Sequence, residues 1–244
     1  DLSENTMLYA SFAEGNNPGG FNPEVIQLEP TVALPAFQTV VPAGYTTEQA
    51  KLETFEFGAK HSFANGRGFL NGSVYFMEWT NQLFGGFLRD VDSNGDGRYV
   101  PGSDRRGQQI DYNANGSTDI WGLELSGSYA INQNWLASFS YNYNESDIQE
   151  YNDRQNGRVY GDPSAAGFET AQTPNHAGNF ALSYTRPANL FDQEGEWFGR
   201  WDAWYQGETY TWTINLAETQ DAWMNNLRGG WRNDRYSVTA WVEN

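Results

Sequence analysis

The chain has 244 residues, of which 16% are aromatic, 26 are glycine and none is cysteine. This profile favours β-structure and excludes a disulfide framework, a thiol nucleophile and a cysteine-ligated zinc site. With 31 Asp and Glu against 14 Lys and Arg, the formal charge of −17 excludes nucleic-acid binding through a basic surface, because phosphates are neutralised by clustered cations.

No run of about 18 apolar residues occurs, so no transmembrane helix is expected, but a barrel strand needs only about 10 residues of alternating polarity. The opening residues, DLSENTMLYA, have neither the basic start nor the apolar stretch of a signal peptide. Either the protein is not exported or the chain begins partway through a longer one.

Period-two alternation marks nine segments. The first sets Leu8, Ala10 and Phe12 against Tyr9, Ser11 and Ala13, and the second sets Phe55, Phe57 and Ala59 against Thr54, Glu56, Gly58 and Lys60. In the third, Leu70, Gly72, Val74 and Phe76 oppose Asn71, Ser73 and Tyr75. Trp121, Leu123, Leu125 and Tyr129 then oppose Glu124, Ser126 and Ser128, and Trp135, Ala137, Phe139, Tyr141 and Tyr143 oppose Ser138, Ser140, Asn142 and Asn144. Phe180, Leu182 and Tyr184 face away from Asn179 and Ser183, and Trp197, Trp201, Ala203 and Tyr205 from Arg200, Asp202 and Gln206. The last two segments separate Leu227 and Trp231 from Asn226 and Arg228, and Val238, Ala240 and Val242 from Ser237, Thr239 and Glu243.

Only the apolar residues set the phase of each segment, yet Glu56, Lys60, Glu124, Arg200, Asp202, Arg228 and Glu243 all fall on the polar face. An Arg or Lys at the lipid midplane of a barrel costs roughly 2–4 kcal/mol, so the opposite face is fit to meet lipid. Connection lengths carry independent information. Short turns at 63–68, 131–134 and 231–235, with a somewhat longer one at 186–196, alternate with long loops near 14–50, 83–117, 146–174 and 208–221. That asymmetry is the pattern of an outer-membrane barrel with short periplasmic turns. Aromatic residues at strand ends, as in Trp135 with Tyr143 and Trp197 with Tyr205, suit the headgroup level, although aromatics are common in any strand.

Two clusters in the loop 83–117 have the composition of a calcium site. In DVDSNGDGRYVPGSD, Asp92, Asn94, Asp96 and Gly97 take the first, third, fifth and sixth positions of a calcium loop. Ser103 stands at the twelfth, where a bidentate Glu is required, and Asp104 is one residue late. DYNANGSTD offers Asp111, Asn113, Asn115 and Asp119 at similar spacing. These residues are candidate ligands of a structural calcium that would stiffen the loop; Asn-Gly and Asp-Gly are equally the usual residues of tight turns. No cofactor is otherwise required. His61 and His176 sit at strand ends far apart in sequence, and no His-Glu-x-x-His or nucleophile-elbow motif occurs, so catalysis is not expected.

Four stretches in this order resemble the TonB-dependent outer-membrane receptors. LYASFAEGNNPGGFN (8–22) resembles the family's strand leading into a Pro-Gly-Gly-Phe-Asn loop, and LETFEFGAKHSFANGRGFLNGSVYFMEWTNQ (52–82) its Glu-x-Gly-x-Lys strand, Gly-Arg turn and following strand. GLELSGSYAINQNWLASFSYNYNESDI (122–148) is similar to the Gly-x-Glu strand and its partner, and TPNHAGNFALSYTRP (173–187) to the later Thr-Pro-x-His strand. The resemblance implies an all-β fold, an antiparallel transmembrane barrel segment of about nine strands, in the outer membrane of a Gram-negative bacterium. Members hold a plug inside a barrel of about 22 strands and take up ferric siderophores, cobalamin or sugars with energy passed on by TonB.

Residues 1–244 then read as part of the barrel, without the plug or the last strands, and coupling to TonB would run through an N-terminal part that this sequence lacks. The expected partners are outer-membrane lipid and a nutrient ligand such as a metal chelate, with a ferric siderophore favoured. Phe21 and Asn22 in the NNPGGFN loop are candidate ligand contacts, or else the loop is a turn in which Gly19 and Gly20 supply backbone freedom. Arg200 and Arg228 are further candidates, with pairing to Asp202 or to a plug as the alternative. The rival reading is a soluble, secreted calcium-dependent β-sandwich module, which would stay monomeric without detergent.

Overall fold

The computed structural model describes residues 4–22, 46–90 and 106–244. In chain order these form β1 (Thr6–Asn17), β2 (Gly20–Phe21), β3 (Thr46–Thr47), β4 (Ala50–Phe63), β5 (Gly68–Asp90), β6 (Arg106–Ala130) and β7 (Trp135–Glu150). A short helix α1 (Arg154–Tyr160) precedes β8 (His176–Pro187), β9 (Glu196–Gln206), β10 (Ala222–Arg232) and β11 (Ser237–Glu243). Nine strands make one antiparallel sheet in the order β1-β4-β5-β6-β7-β8-β9-β10-β11, and β2 pairs with β3 apart from it.

The register brings the apolar sets of all nine strands onto one face. Phe12 stands opposite Phe55, Phe55 opposite Phe76, and Phe76 opposite Trp121. Farther round, Leu123 faces Tyr143, Phe139 faces Phe180, Leu182 faces Trp201, Trp201 faces Leu227, and Leu227 faces Val242. This face is uncovered: Phe57 is 53% exposed, Val74 52%, Leu227 58% and Val242 68%. A soluble sandwich buries such a face against a second sheet, so the rival reading fails on this geometry. Aromatic pairs mark both ends of the band, with Trp135 on Tyr184 and Phe63 on Tyr129 at the short-turn end and Trp121 on Tyr143 and Tyr205 on Trp223 at the long-loop end. Trp135 and Tyr143 are eight residues apart, about 27 Å along a strand and about 20 Å in height at a 40° tilt, close to the height of a barrel's apolar band.

Strands β5 and β6, of 23 and 25 residues, are far longer than a membrane crossing needs, and their outer halves rise beyond the band as a two-stranded arm. The expected loop 83–117 is therefore corrected. Asp111, Asn113, Asn115 and Asp119 lie within β6, paired with β5, where turn-like composition gives way to ladder hydrogen bonding. The best-buried side chains sit at the base of this arm, where Phe84, Ala114, Thr118, Ile148, Tyr151 and Ala165 pack together and Phe84 stacks on Tyr151 at 4.3 Å. The largest group of buried apolar residues thus lies outside the lipid band, under the long connections, while Trp231 is buried against the turn at Ala188.

Candidate functional site

The polar face of the sheet builds an inner wall. On β1 and β4 the Tyr9 hydroxyl donates to Glu56 Oε1 at 2.5 Å, and the Lys60 ammonium lies over the Tyr9 ring at 5.6 Å. Gly58 makes room for this: a Cβ there would fall 2.5 Å from the ring. The same device recurs at Gly122, where a Cβ would meet the Tyr75 ring at 2.5 Å and the Tyr143 carbonyl at 2.4 Å. Tyr9, Glu56 and Lys60 line, with Glu124, Asn142 and Trp204, a concavity of about 630 Å³. Asn142 donates to the Tyr75 hydroxyl at 3.4 Å, so hydroxyl and amide groups connect the strands across the wall.

On the β9 to β11 side, Arg200 grips Asp202. Its Nε donates to both carboxylate oxygens at 2.8 and 3.0 Å, Nη2 lies 2.7 Å from Oδ1, and Nη1 donates to Ser183 Oγ at 3.1 Å. Arg228 stands directly opposite Arg200 in the β9–β10 ladder. The two sequence candidates are thus adjacent on the wall, one ion-paired and the other outside that pair.

The outer rim is held by asparagine amides. Asn22, 1% exposed, donates from Nδ2 to the Asn113 carbonyl and accepts from the Asn113 N–H, both at 2.8 Å. Asn115 accepts from the Glu48 N–H at 2.7 Å and donates to the carbonyls of Asn81 at 2.8 Å and Glu48 at 3.3 Å. Asn81 itself sits at a register shift of β5 with φ of 53°, and its amide reaches Glu48 and Gln49. Such a bulge turns the strand's edge toward the loop it must hold. Gly19 permits the approach, since a Cβ there would lie 2.3 Å from the Thr47 carbonyl. Asn22 is therefore a clamp on the rim, while Phe21 beside it is 72% exposed.

A second junction joins the two later connections. Asn215 accepts from the Glu169 N–H at 2.7 Å and donates to its carbonyl at 3.0 Å, the Tyr160 hydroxyl donates to the Ile214 carbonyl at 2.9 Å, and the Gln172 N–H to the Tyr210 carbonyl at 2.8 Å. Below it, Glu169, Glu208, Glu218 and Asp221 surround a concavity of about 340 Å³ with His176 and Tyr210. The Tyr210 phenol is pushed above its ordinary range, first by its hydrogen bond to Glu218 and then by partial burial.

Of the calcium candidates, Asp92, Asn94, Asp96 and Asp104 lie outside the described residues. Asp111, Asn113, Asn115 and Asp119 lie along β6 in its ladder with β5. Among the described residues no group of three or more His, Asp or Glu side chains is arranged to hold a metal. Asn81 and Asn215 were not apparent in the sequence; the adjacent amides Asn81 and Gln82 in the aromatic run FMEWTNQLF were the only cue for the first.

The family model for the β-barrel of TonB dependent receptor-like proteins matches residues 1–244. The chain belongs to that family. TonB-dependent receptors are outer-membrane proteins of Gram-negative bacteria and are transporters rather than enzymes, so the long connections face the cell exterior and the short turns the periplasm. No curated protein matches the chain. Solved structures similar to it include the ferric yersiniabactin uptake receptor FyuA from Yersinia pestis, with a TM-score of 0.66 and 14% identity over 100% of this chain and 30% of that one. The copper transporter OprC follows at 0.65 and 16% over 100% and 32%, and the closed form of the ferric-catecholate import receptor Fiu from K12 E. coli at 0.59 and 19% over 100% and 29%. At such identities the likeness is one of fold, and the chain spans less than a third of each receptor's length.

Proposed function

We propose that this chain is wall and outer rim of a receptor that takes up a scarce nutrient by TonB-dependent active transport, with a ferric siderophore as the favoured cargo. The observation that carries the reading is the two-faced sheet: a lipid-facing apolar band backed by a polar inner wall, beneath a rim fastened by buried amides. The similar structures support a metal-bearing cargo, since they are receptors for ferric yersiniabactin and ferric catecholate and a copper transporter. Phe21 is the rim residue best placed to meet a ligand, because its ring is exposed on a segment that Asn22 holds fixed.

The test is abundance of the receptor in outer-membrane fractions from cells grown with and without iron, followed by uptake of radioiron chelates. Induction on starvation and energy-dependent uptake support the reading. An unresponsive receptor that imports no iron chelate redirects the cargo to cobalamin or sugars, and absence from the fraction overturns the membrane role.

A further inference from the structure

The periplasmic end of the inner wall gathers three arginines, of which Asp202 and Glu196 pair with two. A concavity of about 420 Å³ between β8 and β11 is lined by Arg200, Arg228 and Arg232 together with the hydroxyls of Ser183, Ser237 and Thr239, and by no carboxylate side chain. Three of the chain's 14 cationic residues meet there, although acidic residues number 31. The register explains the convergence: Ser183, Arg200 and Arg228 stand in one row across β8, β9 and β10, and Arg232 stands opposite Ser237.

Each arginine is in a different state. Arg200 is engaged by Asp202 and Ser183, while Arg232 is bonded to Glu196 at 2.6 Å and lies over the Phe198 ring at 5.1 Å. Arg228 has no hydrogen bond or ion pair with any described residue, and its cross-strand neighbour is another cation. Like charges directly opposite in a ladder are destabilising, and Asp202 offsets only Arg200, which leaves Arg228 as the cation an added anion would complete. Arg200 and Arg228 also line the adjoining concavity of about 510 Å³, together with Asp202 and Glu243, so only the lower concavity has a lining free of carboxylates.

We propose that Arg228, with Arg200, Arg232 and the neighbouring hydroxyls, forms an oxyanion subsite for a carboxylate or phosphate group on an anionic solute leaving the barrel toward the periplasm. The inference rests on the transport reading above. A guanidinium offers a planar pair of donors that matches either group, and hydroxyls alongside can donate to the remaining lone pairs.

The test uses the full-length receptor purified in detergent, with radiolabelled citrate and inorganic phosphate as probes in equilibrium dialysis. Saturable binding of at least one anion is expected, weakened about tenfold or more by R228Q, less by R228K, and untouched by R186Q on the outward face. Preference between citrate and phosphate identifies the group. Binding equal in wild type and R228Q overturns the proposal. No binding by wild type, with a lowered melting temperature in R228Q, also overturns it and assigns Arg228 to a carboxylate of the receptor itself. Radioiron uptake measured in parallel separates the two claims: intact uptake without anion binding sinks only the subsite, and anion binding without uptake sinks only the transport reading.

Discussion

Replacing Asn22 by alanine tests whether side-chain amides hold the outer rim. Asn22 is 1% exposed and closes two 2.8 Å bonds with the backbone of Asn113, 91 residues away. Alanine leaves a donor and an acceptor on β6 without their partner, at about 1–3 kcal/mol for each group that water cannot reach. With water satisfying one of the two, the local opening free energy falls by about 1–3 kcal/mol, or roughly 5- to 150-fold in the opening constant. Hydrogen–deuterium exchange of peptides covering 106–118 should accelerate by that factor, because rim opening governs their protection. Asn22→Asp should behave no better, since it keeps the acceptor for the Asn113 N–H but sets a second oxygen against the Asn113 carbonyl. Phe21→Ala should leave exchange unchanged while weakening ligand binding. Unaltered exchange in Asn22→Ala would show that the rim is held by other contacts and refute the reasoning.

Gly122→Ala should destabilise the wall by about 1–3 kcal/mol in a urea titration, because its Cβ meets a backbone carbonyl that cannot move aside, whereas Gly85→Ala, with nothing within 4 Å, should be near neutral. A neutral result for both would mean that β6 and β7 separate freely at that point. Glu78→Gln should raise stability by about 0.2–1 kcal/mol at low salt and less at high salt, since Glu78 stands between Glu53 and Asp119 in the ladder. Loss of stability would indicate a cation held there. The raised pKa of Tyr210 stabilises the exterior junction fully below the ordinary tyrosine value of about 10, and the contribution is lost as pH rises through the higher folded-state value. Proteolysis within 207–221 should therefore step up in that alkaline range in wild type, and Tyr210→Phe should lose the step.

The nine strands and both faces were legible because lipid imposes a strict rule: within the band every second residue must be apolar, and charges mark the other face. Trp121, Leu123 and Leu125 against Glu124 obey it, and the ladder places them as the alternation requires. Above the band the rule lapses. The outer half of β6 carries Asp, Asn and Gly because no lipid meets it above the band, so its composition reads as a loop although the chain is extended and paired. The clamp by Asn22 was illegible for another reason: an amide that bonds a backbone 91 residues away looks the same in sequence as one that closes its own turn. The Arg200 and Asp202 pair lay between these cases, since positions two apart on a strand share a face and can meet.

Register adds one feature that strand-by-strand reading misses, and it fixes where the lipid must end. Glu14 stands opposite Glu53, Glu53 opposite Glu78, Glu78 opposite Asp119 and Asp119 opposite Asp147, a row of carboxylates across five strands on the outward face. Lys51 bridges Glu14 and Glu53 at 3.2 and 3.1 Å, and Glu78 has no ion-pair partner among the described residues. Five such groups about 4.8 Å apart cannot share hydrocarbon, where each unpaired charge would cost several kcal/mol. Two residues nearer the periplasm, the row runs through Phe12, Phe55, Phe76 and Trp121 on the first four of these strands and reaches Glu145 on β7. The exterior boundary of the membrane therefore runs between these two rows from β1 to β6 and falls between Glu145 and Tyr143 on β7. Everything that fastens the rim, from Asn81 and Asn115 to Asn22, lies on its far side, in water, where a hydrophilic ligand first arrives.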